Sequence, residues 1–248
     1  MVENINIYFL YFLLAILPGL IWMLFFLKKD NLPEPKMKIL QVFYLGILMA
    51  IPAAAIELLL LTDFNRFLLI NLSIVPYFLV KNLIIIGLVE EFFKYIMVKF
   101  FIFKNSCLDE PIDIPMYMII SALGFATAEN ILLFAGHSFN MITDTFGLAM
   151  VRFLGATLLH VLCSGIIGVF LALAFYRIRQ RWFFIIFGFT LGISIHGLFD
   201  FFLESSIINL YQNDYFILSP ILILIIFYGL LNFSLAKIRK LKSVCLTK

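Results

Sequence analysis

The hydrophobic pattern of this chain is a series of long apolar runs separated by short polar punctuation. Seven runs, at roughly 7–27, 38–61, 77–103, 115–135, 147–176, 182–203 and 215–236, reach the length of a membrane-crossing helix. A helix needs about 20 apolar residues to cross the hydrocarbon core. The stretch from Asp63 to Pro76 is also apolar but holds Arg66, Asn71 and Ser73. It is too short to cross alone, and the expectation is an interfacial or re-entrant piece. The first run has no basic residue ahead of it and is too long for a signal-peptide core, so it reads as a retained span. No internal repeat or linker divides the chain. The expected fold is all-α: one polytopic transmembrane helix bundle over 1–248, with about seven spans.

Composition sharpens this picture. Of 248 residues, 64% are hydrophobic and 13% charged, which leaves no room for a soluble domain. A net charge of +3 is too small to suggest nucleic-acid binding. The bilayer itself is the first expected partner. Cys107, Cys163 and Cys245 are far apart and form neither a metal-binding spacing nor a disulfide framework.

Charge between the runs sets an expected orientation. Lys28, Lys29, Lys36 and Lys38 follow the first run, Lys99 and Lys104 close the third, and Arg177, Arg179 and Arg181 follow the fifth. Lys237, Arg239, Lys240, Lys242 and Lys248 form the tail. With seven spans all of these fall on one side, while 136–146 and 204–214 carry no Lys or Arg. The positive-inside rule then puts the N-terminus outside and the C-terminus in the cytoplasm.

Ionisable residues at membrane depth are costly and persist only with partners or a task. Glu90, Glu91 and Lys94 interrupt the third run. Either glutamate could meet Lys94 across one helical turn, yet adjacent residues point about 100° apart, so the two cannot share one direction. One is expected to be ion-paired and the other free to react. Counting from the run ends, Glu90, Glu129, His160, His196 and Asp200 all fall between the midplane and the outer leaflet. Four runs thus place polar side chains at one depth, which points to an intramembrane polar site open to water from outside.

His196 and Asp200 are four apart, so carboxylate and imidazole share a helix face. Asp200 either orients His196 or is part of a buried structural pair. His160 stands one turn before Ser164, with Gly165 and Gly168 beyond. Small residues there suggest close helix packing, which outweighs a Cys163 or Ser164 nucleophile. Glu129, beside Asn130, is open to three roles: metal ligand, orienter of a histidine, or proton acceptor. It could equally be a simple partner of Lys94 or Arg152. The default for Arg152 is snorkelling to headgroups, and for His137 a solvated loop. The chemistry these residues permit is hydrolysis, with a glutamate as general base on water. Two histidines can bind a metal or stabilise an oxyanion. Neither H-E-x-x-H nor G-x-S-x-G occurs.

The ordered set Glu90-Glu91-x-x-Lys94, Gly124-Phe125-Ala126-x-x-Glu129-Asn130, His160 and His196-x-x-x-Asp200 resembles the PrsW family of intramembrane proteases. More distantly it is similar to the CAAX prenyl protease and bacteriocin-processing group. The match runs from about Glu90 to Asp200, inside a motif-bearing core of about 77–203. The resemblance implies cleavage of membrane-anchored proteins, anti-sigma factors among them, on the extracytoplasmic side of a prokaryotic plasma membrane. It makes Glu90 the base, with His160 and His196 as stabilisers or metal ligands. Asp200 completes the set, where the wider group has Asn. Glu91 and Lys94 become a supporting ion pair, with Glu129 and Asn130 beside them. The cofactor is either a divalent metal such as zinc, with His160, His196 and Glu129 as candidate ligands, or none. Two rival classes are a proton- or ion-coupled transporter and a non-catalytic, immunity-like membrane protein. The absence of repeated halves speaks against the transporter.

Overall fold

The computed structural model describes residues 2–29, 34–103, 110–136, 142–207 and 215–241. His137, Cys107 and Cys245 lie outside these residues. Among the described residues the secondary structure is helical and contains no strand. The helices are α1 (Val2–Leu27), α2 (Lys36–Asn71), α3 (Ile74–Val80), α4 (Leu88–Phe101), α5 (Asp113–Gly136), α6 (Ile142–Val151), α7 (Thr157–Tyr176), α8 (Arg181–Ile207) and α9 (Tyr215–Ile238). Six helical stretches are long and apolar enough to cross a membrane: Phe9–Leu27, Lys36–Asp63, Asp113–Gly136, Asp144–Tyr176, Ile178–Ile207 and Leu218–Ile238. The chain is therefore an all-α polytopic bundle. The expected third run is continuous helix from Ile74 to Phe101, which carries Lys81, Glu90, Glu91, Lys94 and Lys99 and is not among the six.

Two departures from the sequence reading have clear causes. First, the Asp63–Pro76 stretch is not a separate interfacial piece. Residues 63–71 continue α2, which reaches 36 residues, or about 54 Å at 1.5 Å per residue. That exceeds a hydrocarbon core of about 30 Å. The helix stops where Leu72 turns extended, with φ −118° and ψ 144°. It restarts as α3 with Pro76 in its first turn, where a missing N–H breaks no helical bond. Second, two spans are not uniform α-helix. Lys81–Gly87 joins α3 to α4 as a widened π-helical turn, and Arg152–Ala156 does the same between α6 and α7.

The bundle has an inside and a rim. In their apolar cores, 83% of Asp144–Tyr176 and 72% of Asp113–Gly136 are buried, against 17% for both α2 and α9. So α5 and the α6–α7 run are the interior helices, and the others shield them from lipid. Apolar residues on every side of α5 and α7 suit that position. Their contact with the rim is backbone-close. A Cβ on Gly124 would lie 2.0 Å from the carbonyl oxygen of Phe43, and one on Gly46 would lie 2.3 Å from that of Ser121. Only glycine lets α2 and α5 approach this far, a packing mode that suits lipid, where no hydrophobic force drives helices together. Polar residues in the interior find backbone partners. The Ser121 hydroxyl donates to the Lys94 carbonyl at 3.2 Å, and that of Thr127 to the Leu123 carbonyl at 2.7 Å.

The helix ends meet in pairs. Lys81 and Asn82 both bond Glu204, at 2.5 and 3.0 Å, so the start of the Glu90 span meets the end of α8. At the other end, Lys29 after α1 donates to Asn232 of α9.

Candidate active site

The site is built on one turn of α4. Glu91 and Lys94 are fully buried and Glu90 is 7% exposed. Lys94 Nζ has three donor hydrogens and three partners: Glu90 Oε2 at 3.1 Å, Glu91 Oε1 at 2.8 Å and His160 Nδ1 at 2.7 Å. Its charge also stands 4.6 Å from the centre of the Phe125 ring. An ammonium only donates, so His160 Nδ1 accepts. His160 Nε2 then carries the hydrogen and donates to Glu129 Oε2 at 3.0 Å. This tautomer follows from the network.

Glu91 is saturated. Lys94 and the Nδ1–H of His196 both donate to its Oε1, the latter at 3.0 Å, and the Ser164 hydroxyl donates to Oε2 at 2.5 Å. Glu90 is the less engaged acid, since its described hydrogen bond falls on Oε2 alone. Glu90 Oε2 faces His160 Nδ1 and His196 Nε2, both at 3.6 Å. Asp200 Oδ2 approaches His196 Nε2 at 3.4 Å. The two imidazole rings meet edge-on, 5.1 Å apart.

All four sequence motifs therefore converge. Each histidine has a carboxylate behind it: Glu91 on His196 Nδ1 and Glu129 on His160 Nε2. This leaves the opposite nitrogens, His196 Nε2 and His160 Nδ1, turned toward Glu90. Glu129 lies on the far side of His160 from Glu90. Arg152 does not snorkel. It turns inward and bonds Glu129 Oε2 at 2.9 Å and Asn130 Oδ1 at 2.5 Å. Two acceptors on α5 offer it partners at that depth. Asn130 in turn donates to the Ala15 carbonyl at 3.2 Å and Thr157 Oγ1 at 3.3 Å, tying α1, α5 and α7 together. Cys163 is a free, buried thiol, and the Ser164 hydroxyl is spent on Glu91.

The widened turns stand directly before this cluster. Each holds an extra residue per turn, which re-aims every side chain that follows, and such turns recur at functional sites. Lys81–Gly87 precedes Glu90, and Arg152–Ala156 precedes His160. Gly197 lets α8 press against the first of them: its Cβ would lie 2.7 Å from Leu83 Cα and 2.8 Å from the Asn82 carbonyl oxygen. That close approach carries the neighbouring His196 to Glu91.

One further acid belongs to this neighbourhood and escaped the sequence reading. Glu57 of α2 has a buried Oε1 with no hydrogen-bond partner, and its charged neighbours are Glu90, Glu129, Lys94 and His196. The available signal was a lone glutamate deep in the second apolar run.

The donor set can be tested for a metal. Glu90, His160 and His196 each offer one ligand atom, all within 4.8 Å of one another. Their 3.6 Å separations are near the edge of about 3.3 Å implied by tetrahedral zinc with bonds of about 2.0–2.1 Å. A His₂Glu set with carboxylates behind both histidines matches the chemistry of catalytic zinc. The residues fit a divalent metal, and His160 Nδ1 is the atom for which Lys94 would compete with it. A second group, Glu91, Cys163 and His196, is equally close, but both oxygens of Glu91 are already committed. Glu129 belongs to neither group.

A multi-pass helix bundle closed around a buried carboxylate–histidine cluster has the form of an intramembrane hydrolase. Comparison with known sequences identifies which kind: this chain belongs to the PrsW family of intramembrane proteases. Residues 34–230 match the profile described as "PrsW family intramembrane metalloprotease". The chain is 29% identical over 179 residues to Protease PrsW of Geobacillus kaustophilus, covering 72% of each chain. It is 26% identical over 211 residues to the Oceanobacillus iheyensis protein of the same name, covering 85% of this chain and 88% of that one. With the Bacillus subtilis protein it shares 26% over 234 residues, covering 93% and 94%. No solved structure is a significant match.

Proposed function

We propose that this peptidase hydrolyses peptide bonds of membrane-anchored proteins near the outer face of the plasma membrane, with Glu90 activating the water. The observation that carries the reading is the division of labour on one turn of α4. Glu91 is fully bonded, while Glu90 faces two histidine nitrogens and keeps an oxygen outside the described hydrogen bonds. Glu90 takes a proton from water as the oxygen adds to the scissile carbonyl, and passes it to the leaving amine. His196, held by Glu91 and Asp200, presents its Nε2 to the developing oxyanion, while His160, held by Glu129 through Nε2–H, uses its Nδ1 to position the Lys94 ammonium beside it. Lys94 bonds Glu91 and adds positive charge beside Glu90. A divalent metal such as zinc, held by Glu90, His160 and His196, would supply Lewis-acid activation of the water.

The depth of the cluster and the lack of Lys and Arg in 136–146 and 204–214 support cleavage on the extracytoplasmic side. Membrane-anchored regulators of the anti-sigma-factor kind suit that location. The test compares membrane and secreted peptide termini in cells making equal amounts of wild type or Glu90→Gln. New termini next to single-span helices, present only with wild type, are the expected result. Identical termini in the two strains would remove the protease assignment for this copy. Metal analysis of the purified protein checks the cofactor: bound zinc in wild type and its loss in His196→Ala are expected.

A further inference from the structure

Among the described residues, Glu57 carries a buried carboxyl oxygen near the site with no hydrogen-bond partner. It lies on the α2 face that carries Gly46, Ala50 and Ala53, since spacings of four, three and four residues keep all of them on one side. Ala50 and Ala53 pack against Phe125 and Ala128 of α5, with Val89 and Phe93 of α4 alongside. One turn further, the same face puts Glu57 beside the Glu129 end of α5 and the Glu90 turn of α4. Its charged neighbours are Glu90 and Lys94 on α4, Glu129 on α5 and His196 on α8. Yet Glu57 Oε1 is buried and has no hydrogen-bond partner. Its neighbours in α2, Leu58 and Leu59, are exposed at 64% and 61% on the rim, so Glu57 stands where the site meets lipid.

A buried polar atom without a partner costs stability. Lys94, Glu91, Glu129 and Asn130 escape that cost by bonding one another or their surroundings. Cleavage inside a membrane creates a demand for one more partner. The substrate helix must open around the bond to be cut, and its freed N–H and C=O groups find no water in the hydrocarbon. The site has to satisfy them.

We propose that Glu57 is a substrate-binding residue whose carboxyl group hydrogen-bonds the opened backbone of the substrate beside the scissile bond. The proposal rests on the protease reading above and extends it. The open Oε1 is the waiting position, and Glu57 is bonded fully only when a substrate segment lies between α2 and the Glu90 turn. A lipid-side position suits a partner that arrives laterally through the bilayer.

The experiment uses the full-length protein in detergent micelles, with Glu57→Leu and Glu57→Gln variants. The probe is a synthetic peptide covering the single-span segment cut in the termini comparison. Glu57→Leu should raise KM at least about tenfold, while its melting temperature equals or exceeds that of wild type, because an unpartnered polar atom has been removed. Glu57→Gln keeps an acceptor and a donor and should stay within about threefold of wild type. In a Glu90→Gln background, where turnover is slow on the timescale of binding, adding Glu57→Leu should weaken binding of a fluorescent form of the same peptide about tenfold. A drop in melting temperature for Glu57→Leu would assign a structural role and overturn the proposal. So would an unchanged KM, or a Gln variant as impaired as the Leu variant. If wild type cuts nothing, the protease reading fails and takes this proposal with it. If wild type cuts and Glu57→Leu cuts equally well, only the role of Glu57 fails.

Discussion

Two carboxylate–histidine pairs support this site, and they are not equivalent. His196 is backed by Glu91, a side chain with no exposure, held in addition by Lys94 and Ser164. His160 is backed by Glu129, whose side chain is 26% exposed and paired with an 18% exposed Arg152. The same motif is thus built once in the interior and once near an opening. In the interior pair the charges have lost their solvent, and each is tolerable only while all partners remain. In the outer pair the environment can replace part of a lost contact. The lesson is that one chemical arrangement carries the fold on one side and mainly aims a ring on the other. Glu90, between the two, has the fewest structural duties.

This contrast can be broken in four ways. The largest effect should come from Glu90→Gln, which removes the proposed base: hydrolysis should fall about 10²–10⁴-fold with little change in melting temperature. Full activity in that variant, measured on the cleaved peptide, would remove Glu90 from the mechanism. Next is Lys94→Met, which strands Glu91 and should destabilise the protein by about 3–5 kcal/mol. Thermal unfolding in detergent reads this, and a Lys94→Met/Glu91→Gln double variant should recover part of the loss. An unaltered unfolding curve for Lys94→Met would show that the interior pair is not the stability element described. Glu129→Gln should lower activity or metal affinity about 10–100-fold while the melting temperature barely moves. Equal damage to stability from Glu129→Gln and Lys94→Met would erase the difference between the pairs. The smallest effect belongs to Arg152→Gln, which keeps an amide donor for Glu129 and Asn130 and should lower the melting temperature less than Lys94→Met does.

The two pairs also show where sequence reading stops. That Glu90, Glu91 and Lys94 share a helical turn is legible from spacing, and so is the common depth of Glu129, His160, His196 and Asp200. Which glutamate would be saturated is not, because that depends on Ser164 and His196 arriving from α7 and α8. A Glu129–Arg152 pair was among the alternatives open in the sequence, beside snorkelling as the default of an isolated helix; that Arg152 also takes Asn130 Oδ1 depends on how α5 meets the run before α7. The extension of α2 through Asn71 was missed because polar residues interrupt its apolar run without breaking its helix.

By itself the sequence determined that the chain crosses a membrane many times as helices, and which polar residues would sit at one depth. Both follow from local quantities: apolar run length against bilayer thickness, and 1.5 Å of rise per residue. The tertiary structure alone decided that α5 and α7 form the interior. It also decided that the turns before Glu90 and His160 are widened, that Lys94 spends all three of its protons, and that Glu57 faces the cluster. Those outcomes depend on how closely glycine-bearing helices approach and on which side chains then compete for the same partner. Spacing along one chain does not contain that competition.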